Sequence, residues 1–324
     1  MSSNSIPTKI APQDATKVAA LSERLVANVE KVILGKREQI RLACIALLCE
    51  GHVLLEDVPG VGKTVLSRSL AKSLGCTFSR IQCTPDLLPG DLLGVSIYNQ
   101  KTLDFEFHPG PVFCQVLLAD EVNRATPKTQ SALLECMEER QVTISGNSYQ
   151  LKRPFLVLAT QNPVDYEGTF PLPEAQLDRF LMRLTMGYPS AERESTMLLE
   201  HQNAHPLDST EQVVSVEELL EAQRLVTQVR VDESLRNYVV AIVNETRHHS
   251  LVSLGASPRG SRALYKAAQA GAAVNGRDFV TPDDIRELAV PTLAHRLILN
   301  RRGHSQEQSS QIIRDILGTV PVPV

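Results

Sequence analysis

The feature that most constrains this chain is an apolar segment that leads into two glycines, a lysine and a threonine. The segment reads VLLEDVPGVGKT over residues 53–64, and leucines spaced four apart follow it up to Gly75. A short apolar run predicts a buried strand, and the leucine spacing predicts a helix. A strand that passes into a helix in this way is typical of α/β proteins with a parallel sheet.

The loop between this strand and this helix has the residues of a phosphate-binding turn. Gly60 and Gly62 allow the backbone to direct its N–H groups inward, and the helix start adds the positive end of its dipole. Lys63 can reach the β- and γ-phosphates of a nucleotide, and the Thr64 hydroxyl can ligate Mg²⁺. Asp57 replaces the first glycine of the pattern G-x-x-x-x-G-K-[ST], where only an ordinary backbone conformation is required. The alternative is a glycine-rich turn with a surface lysine.

Polar side chains also end two further apolar segments. VLLADE ends in Asp120 and Glu121, and FLVLATQNP includes Gln161 and Asn162 at its end. Asp120 would hold Mg²⁺ through water, Glu121 would polarise the attacking water, and Asn162 could orient water or sense the γ-phosphate. Each pattern alone also fits an ordinary strand-to-loop transition. Because ligands of open α/β sheets bind at the carboxyl ends of strands, the three strand ends together predict ATP binding.

The composition narrows the function classes. A length of 324 residues predicts about two domains. A net charge of −4 and an aromatic content of 4% without Trp disfavour a nucleic-acid binder. The six cysteines form no C-x-x-C pair, which favours buried thiols in a reducing compartment. The polar N-terminus and the lack of an apolar run of about 20 residues predict a cytoplasmic protein without a membrane span.

The first half of the chain alternates predicted strands with predicted helices. The strands are predicted at Val53–Glu56, Thr77–Gln82, Val116–Asp120 and Phe155–Thr160, and the helices within Leu21–Cys49, Thr64–Leu74 and Thr129–Arg140. Two hairpin-like insertions, at about 94–110 and 142–151, interrupt the alternation. In the first, Phe105 and Phe107 could either contact a partner or pack onto the domain beneath.

The second half changes character near Tyr188. From there the sequence predicts only helices, two of which begin at the N-cap and proline pairs Ser257-Pro258 and Thr281-Pro282. The predicted division is therefore an ATP-binding α/β core at residues 1–188 and an all-helical domain with a C-terminal tail at residues 189–324.

Several longer segments, taken together and in this order, resemble a known family. They read EDVPGVGKT, FEFHPGPVF, LLADEVNRA, ATQNPVDYEGTFPLPEAQLDRF and GASPRGSRAL. The set resembles the MoxR-type ATPases of the AAA+ superfamily, from about Gly35 to about Leu299. The resemblance implies a P-loop NTPase sheet flanked by helices, a C-terminal helical lid, and ATP and Mg²⁺ as cofactors.

The resemblance also implies a role for individual residues. Lys63 and Thr64 would form Walker A, Asp120 and Glu121 Walker B, and Thr64 and Asp120 would serve the metal. Asn162 would be sensor 1, Arg179 an arginine finger that acts in the neighbouring subunit, and Arg259 sensor 2 on the lid. The other nucleotide-binding positions would be Pro59, Gly60, Val61, Gly62 and Val65 in the loop, with Ile33 and Gly35 at the adenine end.

Some of these roles have plain alternatives. Arg179 follows Asp178 and could form an ordinary exposed ion pair with it, and Arg259 could be a solvated helix residue with Arg262 in its place. Arg124 could be a second interface arginine.

The implied function is Mg²⁺-dependent ATP hydrolysis that remodels or matures partner proteins. An arginine that acts in trans requires a homo-oligomer, and the resemblance implies a hexameric ring and a partner with a von Willebrand factor A domain. The alternatives are a magnesium-chelatase-like ATPase subunit, a nucleotide-switched binding module and a nucleic-acid motor.

Overall fold

The chain forms two compact units, which are described separately. The computed structural model describes residues 10–58, 60–161, 169–200, 207, 210–300 and 306–323. The sheet unit comprises Leu25–Ala43 and Glu50–Val216, and the helical unit comprises Met1–Arg24, Cys44–Cys49 and Glu217–Val324. The predicted domain division at residues 188 and 189 stays a prediction. No helix in the described ranges is both long enough and apolar enough to span a bilayer.

Two helices, α1 (Pro12–Glu30) and α2 (Arg37–Leu48), precede the sheet. The elements of the sheet unit that follow them alternate as the sequence predicts. They are β1 (Val53–Glu56), α3 (Lys63–Ser73), β2 (Phe78–Gln82), α4 (Pro89–Leu93), β3 (Gly94–Asn99), β4 (Asp104–Pro109), β5 (Val116–Asp120), α5 (Pro127–Glu139), β6 (Gln141–Ile144), β7 (Asn147–Gln150), β8 (Leu156–Gln161), α6 (Glu174–Leu177), β9 (Met182–Leu184) and α7 (Ala191–Glu200).

A parallel sheet with the strand order β2-β5-β8-β1-β9 organises the unit. Strands β1, β5 and β8 are buried along nearly their whole length, because apolar side chains on both faces are covered, as in other parallel sheets. The four predicted strands are confirmed to within one residue at each end. Glu56 pairs with Gln161 and Gln82 with Asp120, so the polar strand ends lie at one edge of the sheet.

Both predicted insertions are antiparallel hairpins, β3–β4 and β6–β7. The contact between the two hairpins shows that Phe107 packs within the unit, whereas Phe105 stays exposed. Phe107 stacks on Tyr149 of the second hairpin with ring centroids 4.1 Å apart, so it packs within the unit. Phe105 is 67% exposed and meets only the edge of Tyr98 among the described ring contacts.

A buried histidine joins three elements of the sheet unit. His52, just before β1, accepts a hydrogen bond at Nδ1 from the backbone N–H of Val157, 3.0 Å away. Its Nε2 lies 3.0 Å from the carbonyl oxygen of Met137. Because Nδ1 accepts, the proton of the neutral ring is on Nε2, which donates to that carbonyl. Burial lowers the pKa of His52 from 6.5 to about 4, because it disfavours the charged ring.

This histidine predicts a loss of stability in acid. As the pH falls, the unfolded chain binds a proton at His52 below pH 6.5, whereas the folded chain binds it only near pH 4. The free energy of unfolding therefore decreases as the pH is lowered from 6.5 to about 4. The contribution is about 1.4 kcal/mol per pH unit. Urea unfolding of the wild type and of His52→Gln between pH 7 and about pH 4 tests this. We expect the wild type to lose more stability than the variant, and parallel pH curves would contradict the assignment.

The helical unit contains mainly helices. Its elements after the sheet unit are α8 (Val216–Val226), α9 (Glu233–His248), β10 (Val252–Leu254), α10 (Pro258–Val274), α11 (Pro282–Leu293), β11 (Ile298–Leu299) and α12 (Gln306–Thr319). The Ser257 cap is confirmed, since its Oγ accepts from the N–H of Arg259 at 3.0 Å. At the Thr281 cap, the N–H donates to Asp284 Oδ2 at 2.8 Å.

The prediction that the second half contains only helices is wrong in one respect. Strands β10 and β11 form a short antiparallel pair in which Val252 faces Leu299. The segment that contains β10 lies in the short stretch between the end of α9 and the N-cap Ser257. Its backbone groups therefore pair with a strand, which satisfies them without a helix.

Candidate nucleotide site

The loop after β1 has the backbone conformation that its glycines suggest. Gly60 and Gly62 have φ values of 84° and 91°, a region that residues with a side chain rarely adopt. Among the described residues, nothing lies within 4 Å of a Cβ placed on either glycine, so the backbone angle is the reason for glycine here. Helix α3 begins immediately afterwards at Lys63. Its first N–H groups have no partner within the helix and are therefore suited to bind an anion.

Asp57 explains why the first glycine of the motif is dispensable here. The residue is buried, and it is absent from the residues with positive φ in the described chain. Its Oδ1 accepts from the N–H of Val58 at 3.0 Å, and its Oδ2 accepts from the N–H of Gly187 at 2.6 Å. The carboxylate thus fixes the start of the loop to the segment after β9. Its backbone oxygen also accepts from Lys63 Nζ at 2.8 Å.

A cavity of about 370 Å³ opens between this loop and the ends of β2 and β5. This volume is within the usual range for small-molecule sites, about 300–1,000 Å³. Its lining brings together seven of the predicted site residues and two residues that the sequence analysis did not select. The lining residues are Gly60, Gly62, Lys63, Thr64, Val65, Arg80, Gln82, Asp120 and Glu121.

The threonine at the end of β8 holds both acidic residues in position. Thr160 Oγ1 donates to Asp120 Oδ1 at 2.5 Å and accepts from the N–H of Glu121 at 2.8 Å. Glu121 has a φ of 56° and a ψ of 52°, a left-handed conformation that costs free energy for a residue with a side chain. The hydrogen bond to Thr160 offsets part of that cost. The sequence signal that could have identified Thr160 is its position as a polar residue in the otherwise apolar stretch LVLA-T of β8.

Two arginines pair with the two acidic residues. Arg80 Nη2 lies 2.7 Å from Asp120 Oδ2, and Arg124 Nη1 lies 3.1 Å from Glu121 Oε2. Side chains alternate along β2, so Arg80 and Gln82 share the face that lines the cavity. This alternation could have identified Arg80 from the sequence. Arg124 pairs with a glutamate of its own chain. Its role at an interface between subunits stays a prediction.

The electrostatics of Lys63 suit a residue that meets an anion. Burial lowers the pKa of Lys63, and the carboxylates of Asp120, Asp57 and Glu121 oppose that shift. A phosphate group beside the ammonium would favour its charged form further. The half-buried lysine is therefore placed where an added negative charge stabilises it.

The residues of the cavity fit a magnesium ion that is held together with a nucleotide. No group of three His, Cys, Asp or Glu side chains at metal-binding distance occurs in the part of the chain that the structure describes. Mg²⁺ in phosphoryl-transfer sites relies on one or two protein oxygens, on water and on the phosphates themselves. The Thr64 hydroxyl and the Asp120 carboxylate supply such oxygens in this cavity.

The remaining predicted residues lie elsewhere or outside the described chain. Pro59 and Asn162 lie outside the described residues, so their predicted roles stay predictions. Val61, Ile33 and Gly35 are described, but they are not among the residues that line the cavity. Their roles, too, stay predictions.

The two predicted catalytic arginines lie in different units. Arg179 follows α6 and directs its Nε to Glu138 Oε2, 3.2 Å away, an ion-pair contact without hydrogen-bond alignment. Arg259 lies in the first turn of α10 in the helical unit. Arg262 lies one turn further along the same helix, and both assignments stay predictions.

Comparison with known proteins places this geometry in a family. Residues 52–182 match the ATPase family associated with various cellular activities (AAA), and residues 244–316 match the AAA lid domain. The chain is 43% identical to the "Chaperone MoxR1" of Mycobacterium tuberculosis over 93% of this chain and 82% of that protein. The chain belongs to the MoxR-type AAA ATPases. The predicted family and fold class are thereby confirmed.

Other relatives of this MoxR-type ATPase cover the chain equally well. It is 32% identical to the "Protein MoxR" of Paracoccus denitrificans, over 92% of this chain and 95% of that protein. It is 55% identical to the "Uncharacterized protein YeaC" of Bacillus subtilis, over 93% and 94%. A crystal structure from Cytophaga hutchinsonii is similar with a TM-score of 0.87 and 42% identity, over 96% and 98% of the two chains.

Proposed function

We propose that this MoxR-type protein hydrolyses ATP with Mg²⁺ and uses the reaction to remodel partner proteins as a homo-oligomer. The observation that carries the proposal is the cavity in which Lys63, Thr64, Asp120 and Glu121 meet at one edge of the sheet. A lysine and helix N–H groups suit the phosphates, and a carboxylate beside them suits the activation of water.

Each residue has a separate part in the proposed reaction. The N–H groups at the start of α3 and the ammonium of Lys63 would bind the phosphate oxygens and orient the terminal phosphate. Glu121 would orient the attacking water, in a backbone conformation that Thr160 holds. Thr64 and Asp120 would hold Mg²⁺, which when bound neutralises charge on the phosphates. Asn162 would orient the same water from the neighbouring strand end.

The oligomer follows from the proposed role of Arg179. A guanidinium that stabilises the charge on the transferred phosphate accelerates such reactions about 10³- to 10⁵-fold. Arg179 is not among the described residues that line the cavity of its own chain, which supports its use in a neighbouring subunit. A ring results when such a head-to-tail interface closes, and the proposed ring is a hexamer. Arg259, as sensor 2, would contact the same nucleotide from the lid.

Mixing two inactive variants tests the trans arrangement. The Arg179→Ala subunit keeps an intact nucleotide cavity. The Lys63→Ala subunit keeps Arg179, which it would supply to the cavity of a neighbouring subunit. We expect each variant alone to hydrolyse ATP at least about 100-fold more slowly than the wild type. Co-expressed in equal amounts, they should recover activity at roughly a quarter of the sites, since a site needs one subunit of each kind side by side.

The control for this experiment is Arg179→Ala mixed with a double variant that carries both substitutions. Neither subunit of this mixture has Arg179, so the mixture should stay inactive. If Arg179→Ala alone hydrolyses ATP at the wild-type rate, the arginine has no part in turnover. If the first mixture is as inactive as the control although the subunits assemble, the site is not completed in trans.

The proposed substrates are proteins. The name of one relative, "Chaperone MoxR1", supports this class, and a protein with a von Willebrand factor A domain is the proposed partner. The β3–β4 hairpin carries an exposed pair of aromatic rings, Tyr98 and Phe105, with centroids 5.4 Å apart. Exposed aromatic residues are enriched at protein interfaces, so this tip is a suitable contact for the partner.

A further inference from the structure

Arg80 is the one charged residue of the described cavity lining that the proposed reaction does not use. It lies on β2, lines the cavity and donates from Nη2 to Asp120 Oδ2 at 2.7 Å and to Gln82 Oε1 at 3.0 Å. The two members of the ion pair differ in environment, because the Arg80 side chain is 47% exposed and the Asp120 side chain only 14%. The arginine therefore has more room to change its position than the aspartate has.

The carboxylate of Asp120 has a donor on each oxygen. The Thr160 hydroxyl donates to Oδ1 and the Arg80 guanidinium to Oδ2. Thr160 is fully buried in the sheet, so its hydrogen bond is shielded from water. In the proposed reaction Asp120 would also hold Mg²⁺, directly or through a water molecule, and the positive charge of the metal would replace that of Arg80 at this carboxylate. Arg80 and the metal would therefore compete for the same group.

The charges of the cavity make this competition consequential. Its described lining contains two cationic side chains, Lys63 and Arg80, and two acidic ones, Asp120 and Glu121, which balance. Without Arg80 the lining has a net negative charge, and a triphosphate would meet it at a disadvantage. A guanidinium binds phosphate oxygens in the same paired geometry in which it binds a carboxylate. Arg80 can thus exchange one oxyanion for another without leaving the cavity.

We propose that Arg80 is an exchangeable counter-ion, which neutralises Asp120 before a ligand binds and turns to the phosphates of a nucleotide that binds without metal, whereas Mg²⁺ supplies this charge when it is present. The inference rests on the proposed nucleotide site, and it adds a phosphate-binding residue to it. Arg80 then provides the positive charge that allows the nucleotide to bind when no metal is present. In the absence of Arg80, nucleotide binding depends on the metal much more strongly.

Binding of a fluorescent ADP to Arg80→Gln, with excess Mg²⁺ and with EDTA, tests the proposal. In EDTA we expect the variant to bind about tenfold more weakly than the wild type, the usual loss for one charged hydrogen bond. In Mg²⁺ the loss should be less than about threefold, because the metal replaces the missing charge. The ratio of the two dissociation constants should therefore rise. Arg80→Lys, which keeps the charge, should lie between the variant and the wild type.

The matched control is Arg68→Gln. Arg68 lies on α3 over the ring of Phe78 at the start of the same strand, and it is not among the described residues that line the cavity. This variant removes the same charge next to β2 and should leave both dissociation constants unchanged. Equal changes in Arg68→Gln and Arg80→Gln would mean a general effect of charge and would overturn the proposal.

Two other results would also overturn it. An equal loss in EDTA and in Mg²⁺ would make Arg80 a fixed support of Asp120, and unchanged constants would mean that it never meets the nucleotide. These results differ from a failure of the proposed function itself. In that case the wild type would bind the nucleotide in neither condition, whereas the inference about Arg80 is tested against a wild type that binds.

Discussion

Lys63→Ala is expected to bind ATP about 100-fold more weakly than the wild type, on the order of 3 kcal/mol, the usual upper value for hydrogen bonds to charged groups. The ammonium of Lys63 lines the cavity and is held by the carbonyl oxygen of Asp57, 2.8 Å away. Its removal takes away the cation nearest the phosphate-binding loop. The measurement is displacement of a fluorescent nucleotide at equilibrium.

The control for this variant is Lys128→Ala. Lys128 is exposed in the first turn of α5, in the same unit, and does not line the cavity. It loses the same charge and should bind nucleotide as the wild type does. A circular dichroism spectrum should show that both variants are folded. If Lys63→Ala is folded and binds ATP with wild-type affinity, the nucleotide binds elsewhere.

Glu121→Gln is expected to separate binding from hydrolysis. Glutamine has the same size and keeps the hydrogen bond between the backbone N–H of residue 121 and Thr160, but it cannot accept a proton from water. Turnover should fall about 10²- to 10⁴-fold, the usual contribution of a general base. Nucleotide affinity should not fall, since the change removes a negative charge from the cavity lining and leaves Lys63 in place. Single-turnover kinetics measures the fall in the rate of ATP hydrolysis.

The matched control is Glu135→Gln, an exposed glutamate on α5 in the same unit. It should keep wild-type turnover. Because Glu121→Gln would hold ATP, it should also retain a protein partner longer than the wild type does. If the variant hydrolyses ATP at the wild-type rate, the water is activated by another residue.

The sequence was sufficient to predict the main elements that position the site. Strands β1 and β5 have the predicted bounds, because buried strands of a parallel sheet are short, apolar and followed at once by polar residues. The order of the strands in the sheet then places those polar ends at one edge. Lys63, Asp120 and Glu121 were therefore identifiable before the structure was known.

The sequence was not sufficient for contacts between residues that are distant along the chain. Asp57 meets Gly187, and Thr160 and Arg80 both meet Asp120, which lies 40 residues away from each of them. No local pattern specifies such pairs, since they depend on the register between neighbouring strands. The pair β10–β11 was missed for the same reason, because two short segments 44 residues apart have no signal of their own.

Hydrogen exchange of the backbone amides shows whether a nucleotide binds by its phosphates in the loop before α3. Exchange in peptides that cover residues 57–70 would be followed by mass spectrometry, with Mg²⁺ and a slowly hydrolysed ATP analogue or with adenosine as the control. We expect slower exchange in these peptides with the ATP analogue and no change with adenosine, which lacks phosphates. Unchanged exchange at saturating concentrations of the analogue would contradict binding by the phosphates in this loop.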